Sequence, residues 1–400
     1  MALLLWIPQA DEKKVCLSAK AYGVVKTSSF RSFFRKNLAL YLNEAKTKVW
    51  EKCCLAGNIP SGVLEGPLLN CRILKLPNGK SEKGVFVVQA ENNWAKVLKN
   101  PEAFKWLNDN YSVIWSSGWS PTNYSLLGWI CSSLRDTVFV QANNYDEIKA
   151  LEEFNPKIKC LRSIVCDWIN PDFFRPKPFA DREIDILMVA AWAPYKRHWQ
   201  LFEALKKMPR NLRVALIGQP DASHTVESVR KQASLFGVKQ EIEFINSVLV
   251  ETVNDYQCNS KISVILTKHE GACVAITESL FADSPVAALR GADVGSVKHI
   301  NKDTGVLLDA GKIHYQLQQF LETGGNYRAR AWAMEHISHT AANQKLNALM
   351  KDFSVSKGLD WTTDLKPVCW HPIWEYVNER DQHEMNVAYN DLQGRFPGLF

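Results

Sequence analysis

The sequence predicts an α/β protein of two domains, and three observations carry that prediction. After Ile184, short apolar runs alternate with helical stretches at regular spacing. Just before it lies Trp168–Ala180, with Pro171, Pro176 and Pro178, which reads as an interdomain linker. The length, 400 residues, suits two or three domains. Strands and helices in alternation with short turns imply a parallel sheet covered on both faces.

Taken in order, Leu3–Ile7 reads as an opening strand. Ser28–Lys52 spaces Phe30, Phe33, Phe34, Leu38, Tyr41, Leu42 and Ala45 at near-helical intervals, with Arg31, Arg35, Lys36, Lys46 and Lys48 between them. That pattern fits a basic amphipathic helix on a membrane surface, or a helix packed on the first sheet. Asn70–Leu76 and Gly84–Gln89 alternate as strands around a Pro77–Gly79 turn. Helices follow at Pro101–Leu107, Asn123–Leu134 and Tyr145–Phe154, and strands at Ser112–Ser116, Thr137–Gln141 and Cys160–Cys166. Past the linker the strands are Ile184–Ala190, Leu212–Ile217, Ile242–Ile245, Ile262–Leu266 and Val286–Leu289. Helices begin near Arg197, Thr225, Val250, Cys273 and Val294, and longer ones cover Ile313–Thr323, Tyr327–Lys351 and Trp370–Leu392. The domains are therefore drawn as 1–175, 182–365, and a helical tail, 366–400, packing back toward the first domain.

Composition narrows the function. The chain is 46% hydrophobic and 22% charged, as in globular proteins with a large core. A net charge of +6 suits an anionic ligand or a membrane surface and is too mild for a nucleic-acid binder. Ten cysteines show no framework spacing, which reads as reduced thiols in the cytoplasm. There is no run of 18 apolar residues, and Met1–Pro8 lacks a signal peptide's basic start.

The chemistry concentrates in Lys268–Val286, K-H-E-G-A-C-V-A-I-T-E-S-L-F-A-D-S-P-V. A β-branched run leads into it. Gly271 and Ala272 form a small corner, and a helix follows to about Ala282, stopped by Pro285. A helix N-terminus offers free N–H groups and partial positive charge to an anion such as phosphate. Glu278 lies on the face of Val274 and Ala275, roughly 7–10 Å beyond that entrance, about the span from a phosphate to ribose hydroxyls. The E-x7-E spacing of Glu270 and Glu278 is weak alone, since Glu243 and Glu251 match it too. A capping carboxylate and a solvated helix Glu would also explain the pair.

This stretch resembles the donor-site motif of the retaining glycosyltransferases of group 1 (family 4). Val189–Arg197 resembles the segment carrying that family's phosphate-binding lysine, here Lys196. Leu216–Gly218, Ser260–Leu266 and Thr304–Leu307 resemble later strands in the same order, and Asp167–Pro176 stands where the family enters its linker. The resemblance spans about residues 135–345. It implies the GT-B fold, two facing Rossmann-like domains with parallel sheets and a C-terminal helix. It implies a metal-independent hexosyltransferase that transfers a sugar, with retention, from a UDP-, GDP- or ADP-sugar to a glycan, lipid-linked or small-molecule acceptor. Such a role belongs to polysaccharide biosynthesis, with the nucleotide sugar as co-substrate and no metal or other cofactor.

The resemblance assigns Lys196 to the donor diphosphate and Glu270 to the donor sugar as the catalytic pair. Glu278 would take the ribose, and the N–H groups of Gly271, Ala272 and Cys273 the phosphates, with Arg197, Gly218 and His269 completing the donor side. Trp115, Trp119 and Asn123, at a strand end of the first half, are candidates for an acceptor cleft. The family's arginine five residues before the lysine is Ala191 here, its aromatic–glycine step is Ala272–Cys273, and all nine histidines lie at or after His198. Ala21–Tyr22–Gly23 is the nearest stand-in for a glycine-rich loop. These departures keep two alternatives open, a catalytically silent nucleotide-sugar binding protein and a nucleotide-sugar epimerase on the same fold.

Overall fold

The structure, a computed structural model, describes residues 11–55, 64–370 and 373–400. The strand expected at Leu3–Ile7 lies outside the described residues. The chain divides into two compact units. The first joins Met1–Val165 to Asn343–Cys369 and Ile373–Phe400. The second joins Cys166–Ala342 to Trp370–Pro372. Residues 343–365, assigned by the sequence to the second domain, thus cluster with the first.

The first unit opens with α1 (Asp11–Val24), α2 (Ser28–Ala39) and α3 (Thr47–Leu55). The expected single helix over Ser28–Lys52 is two, because the chain turns between Leu40 and Asn43. Gly23 lies inside α1, so no phosphate loop forms there. The sheet runs β1 (Arg72–Lys75), β2 (Gly84–Gln89), β3 (Tyr111–Ser116), β4 (Val138–Gln141) and β5 (Ile158–Cys160), neighbours in that order. β1 is antiparallel to β2, and the others are parallel. β2 and β4 are buried along their whole length, as strands covered on both faces must be. The crossovers carry α4 (Glu91–Lys99), α5 (Pro101–Asn110), α6 (Tyr124–Ser133) and α7 (Ile148–Phe154). Trp50 of α3 is fully buried against α6, where Gly128 gives it room, since a Cβ there would stand 2.4 Å from the ring. The expected Cys160–Cys166 strand ends at Cys160, and Val165–Trp168 turns into a 3-10 helix.

The second unit has a six-stranded parallel sheet of β6 (Ile184–Val189), β7 (Val214–Gly218), β8 (Ile242–Asn246), β9 (Ser260–Ile265), β10 (Val286–Leu289) and β11 (Gly305–Leu308). Its order is β11-β10-β9-β6-β7-β8. The chain adds strands outward from β6, then returns to β6's other side with β9. The switch lies between β6 and β9, and loops leaving their C-terminal ends diverge around a crevice, the usual ligand position of open α/β sheets. One face is packed by α8 (His198–Leu205), α9 (Val226–Phe236) and α12 (Ile313–Thr323) against Met188, Leu216 and Val264. On the other, α11 (Val274–Phe281) and α13 (Ala329–His336) pack on Ile265, Val286 and Ala288, while α10 (Val250–Cys258) precedes β9.

Three other expected helices differ. The one near Val294 is a single 3-10 turn, Gly295–His299. The 327–351 helix is α13 followed by α14 (His339–Ser356), broken at Ile337. Trp370–Leu392 is not one helix. Its start forms β12 (Val368–Trp370) and β13 (Trp374–Tyr376), and only Glu379–Arg395 is α15. In the first unit, Tyr389 of α15 donates to Cys71 O at 3.4 Å and accepts from Ile73 N at 2.9 Å.

Candidate functional site

Two helix entrances define the site, each after a central strand of the second unit. Beyond β6, Pro194–Lys196 forms a 3-10 turn, and Arg197 takes a left-handed conformation, φ +62°, at the start of α8. Beyond β9, the loop through Glu270 ends at Cys273, φ +57°, at the start of α11. Non-glycine residues rarely adopt this conformation, and such strain gathers at functional sites. Cys273 holds this conformation without being a glycine.

The two entrances meet through an ion pair between Lys196 Nζ and Glu270 Oε1, with side chains only 11% and 16% exposed. Burial opposes the Lys196 charge, but the paired Glu270 carboxylate more than offsets it, and its pKa is raised. The second Glu270 oxygen, Oε2, is buried with no hydrogen-bond partner. An unsatisfied buried acceptor is costly, so this atom has a hydrogen bond left to make.

The loop is fixed by its carbonyls. Gly295 N donates to Gly271 O at 2.7 Å, and Ser296 N to Ala272 O at 3.0 Å. The Ser296 hydroxyl donates to the carbonyls of Ala272 and Cys273. Glu270 N donates to Asp293 O at 3.0 Å. Ile276 N donates to Cys273 O at 3.1 Å, and the α11 amides before it, like those opening any helix, lack intrahelical acceptors. Burial pushes the Cys273 thiol upward, and Glu270 beside it adds to that, so it stays a neutral wall.

Glu278 lies one turn inside α11. Burial raises its carboxyl to about 7, against a long 3.5 Å contact from Gln257 Nε2. Gln257 is fully buried, and its Oε1 has no partner. The remaining donor-side residues divide. Arg197 Nε donates to Gln200 Oε1 at 3.0 Å, and its guanidinium stacks on Trp199, so it is tied to α8. His269 Nδ1 lies 3.1 Å from Asp293 Oδ2 at the exposed rim. Gly218 has a packing reason, since a Cβ there would stand 2.3 Å from Ala190 O and 2.9 Å from the Trp192 ring.

One residue escaped the sequence reading. His198 opens α8, is buried beside Lys196, and lies 5.6 Å from Trp192 between ring centroids. Burial and the Lys196 charge hold it down to about 4, so it is neutral, and its Nε2 is buried without a partner. Its adjacency to Lys196 in sequence was the available signal.

The acceptor-side candidates fare differently in the first unit. Trp115 is a core residue, fully buried between Trp94 and Phe104 with ring centroids 6.0 and 6.1 Å away. It cannot touch a substrate, because every second residue of a covered parallel strand points into one packed face or the other. The Asn123 side chain caps α6, accepting from Ser125 N and Leu126 N at 3.1 and 3.2 Å. Trp119 is 52% exposed and lines a cavity of about 680 Å3 with Lys20, Glu91, Asn123 and Tyr124. Burial raises the Glu91 carboxyl, which accepts from Ser117 Oγ at 2.7 Å and Gly118 N at 2.9 Å.

Among the described residues, Cys166, Asp167 and His299 could together hold a metal ion. All three are buried, and His299 Nε2 lies 3.0 Å from Asp167 Oδ1, within hydrogen-bond distance. A further cavity of about 890 Å3 opens at the opposite end of the sheet, by the first residues of β6, β7 and β8. Its rim mixes Arg213 and Arg230 with Glu241 and Glu243, a charge pattern with no single-sign ligand.

Residues 170–332 match the family model described as glycosyl transferases group 1. No curated protein matches the chain significantly. Among solved structures, the chain is similar to HepE of Anabaena in complex with UDP, at 13% identity and a TM-score of 0.53, covering 66% of this chain and 78% of that one. It is similar to sucrose-phosphate synthase of Thermosynechococcus elongatus, at 14% identity and 0.53, covering 68% and 73%. It is also similar to a glycosyltransferase of Rickettsia africae, at 18% and 0.50, covering 66% and 76%. At these identities the structures speak for fold alone. With the family match over the Lys196 and Glu270 entrances, the second unit is a group 1 glycosyltransferase domain on a GT-B fold.

Proposed function

We propose that the protein is a retaining glycosyltransferase that uses a nucleotide sugar, with its donor site at the Lys196–Glu270 pair. The supporting observation is the half-used pair itself, a buried cation and carboxylate with Glu270 Oε2 left unsatisfied at two strained helix entrances. In this proposal the donor diphosphate takes Lys196 Nζ and the α11 amides, and the sugar hydroxyls take Glu270 Oε2. The ribose takes Glu278, whose carboxyl has little other hydrogen bonding. Neutral His198 adds a polar atom beside Lys196 without competing charge.

The step is displacement of the nucleoside diphosphate from the anomeric carbon by an acceptor hydroxyl, whose proton the leaving phosphate accepts. No protein base and no metal is required. The chain supplies charge stabilisation and orientation. HepE has been captured with UDP and with UDP-glucose, which favours a UDP-sugar among the donors considered. A glycan or lipid-linked acceptor would enter the first unit at Trp119, and a cytoplasmic role in polysaccharide assembly fits such a substrate.

A second reading, nucleotide-sugar binding without transfer, is favoured by Ala191 in place of the family's arginine. Calorimetric titration of UDP-, GDP- and ADP-sugars, with an assay of donor hydrolysis and transfer, separates the two. Binding with turnover supports the transferase. Binding without turnover selects the second reading, and no binding removes both.

A further inference from the structure

The first unit carries a surface the donor chemistry does not use. Between Asp11 and Leu55 the sequence has ten Lys and Arg against four Asp and Glu, a local +6 equal to the net charge of the whole chain. No acidic residue lies between Lys13 and Asn43. The positive charge is therefore concentrated on α1–α3, and the rest of the chain cancels.

The same helices expose apolar side chains in order. The inner face of α2 buries Phe34 and Leu38. Its outer side shows Phe30, Phe33 and, at its end, Leu40, which are 61%, 45% and 69% exposed. Spacings of three and seven residues put these on one stripe of a helix. Val24, the last residue of α1, is 62% exposed, and Lys26 and Lys36 are exposed alongside. A groove of about 250 Å3 beside the stripe is lined by Lys14, Phe33, Leu40 and Tyr41, among others. Two phenylalanines and a leucine held outward on a stripe within a cationic region do not serve a solvated face.

We propose that the α1–α2 face docks on an anionic lipid surface. Phe30, Phe33 and Leu40 enter the boundary between headgroups and acyl chains, and the exposed Lys26 and Lys36 beside them meet lipid phosphates. The charge selects this occupant. An apolar stripe alone would suit a protein partner or a second copy, whereas a second copy brings the same +6 and repels. The cavity at Trp119 is also lined by Lys20, Gly23 and Val24, so docking brings it beside the lipid. The docking surface stands on the first unit alone, so it and the donor reading can fail separately.

The test is flotation of the full chain with vesicles of phosphatidylcholine alone and with phosphatidylserine added. The wild type should float with the anionic vesicles only, and added salt should release it. A Phe30→Ser/Phe33→Ser/Leu40→Ser variant should lose about tenfold or more of that partitioning. Its circular dichroism, melting temperature and nucleotide affinity should be unchanged, because all three side chains are exposed. Lys26→Glu/Lys36→Glu should weaken binding to the anionic vesicles. The proposal is overturned if the wild type ignores anionic vesicles, binds neutral ones equally, or partitions no better than the serine variant. A lipid-free dimer in sedimentation, abolished by the serine variant, would assign the face to a second copy and overturn it as well.

Discussion

Glu147 in the first unit and Glu278 in the second are carboxyls raised to about 7 by burial, yet their surroundings differ in kind. Glu147 is saturated, accepting from Thr122 N at 2.6 Å and Ser120 Oγ at 3.2 Å, and it pins the loop before α6. Glu278 has one 3.5 Å contact from Gln257. A shifted pKa therefore does not identify a site. Under the donor-site proposal the unspent capacity of Glu270 and Glu278 is left for a ligand, whereas that of Glu147 is spent on the fold.

The largest expected effect breaks the buried pair. Lys196→Ala leaves Glu270 charged and unpaired, so stability should fall by about 3–5 kcal/mol in denaturant titrations. Turnover should drop about a hundredfold or more. Lys196→Met/Glu270→Leu should regain most of the stability and none of the turnover, because it removes both desolvated charges. A double variant as unstable as the single would mean the pair matters for packing and not for charge.

The next pair tests the contrast directly. Glu278→Ala should weaken nucleotide binding about tenfold to a hundredfold, with a small change in melting temperature. Glu147→Ala should leave nucleotide affinity alone and cost about 2–3 kcal/mol, because Thr122 N–H and the Ser120 hydroxyl lose a buried acceptor. Exchanged phenotypes would invert the assignment.

The pH dependence follows from the same carboxyl. The unfolded Glu278 loses its proton near pH 4.5 and the folded one only near 7, so the folded state binds more protons in between. Stability from this group thus falls as pH rises from about 4.5 to 7, by on the order of 3 kcal/mol, and is level above. His198, held down to about 4, acts oppositely between about 4 and 6.5, because its unfolded form binds the extra proton. In the wild type Glu147, also raised to about 7, adds a slope of the same sign as Glu278, and His198 offsets part of the sum. The difference between wild type and Glu278→Gln isolates the carboxyl and should shrink as pH falls through that window. A pH-independent difference would mean Glu278 titrates normally.

The smallest effect lies in the first unit. Trp119→Ala should change stability by no more than about 0.5 kcal/mol and raise the acceptor KM about twofold to tenfold, with donor affinity unchanged.

Most of the second unit was legible because its signals are local. β-branched runs mark buried parallel strands, and Lys196, Glu270 and Glu278 sit at fixed offsets from strand ends. What sequence could not supply was the Lys196–Glu270 contact across 74 positions, or the neutrality of His198, which depends on burial. The first unit was less legible. Trp115 and Trp119 look alike four residues apart, but one is on a covered strand and the other on the loop beyond it. α1 and α4 were missed because their apolar residues are interrupted by polar ones that tertiary contacts bury, such as Ser18 and Asn93. The split of 327–351 and the pairing of β12 with β13 are likewise settled by packing, which overrides weak periodicity.

The most direct measurement is calorimetric titration of UDP, GDP and ADP and their sugars into the wild type, Glu278→Ala and Glu147→Gln. At least one nucleotide sugar should bind the wild type, Glu147→Gln should bind it equally well, and Glu278→Ala should bind it at least about tenfold more weakly. Wild-type binding that Glu278→Ala preserves, or no binding to any nucleotide sugar, would contradict the donor site at Lys196, Glu270 and Glu278.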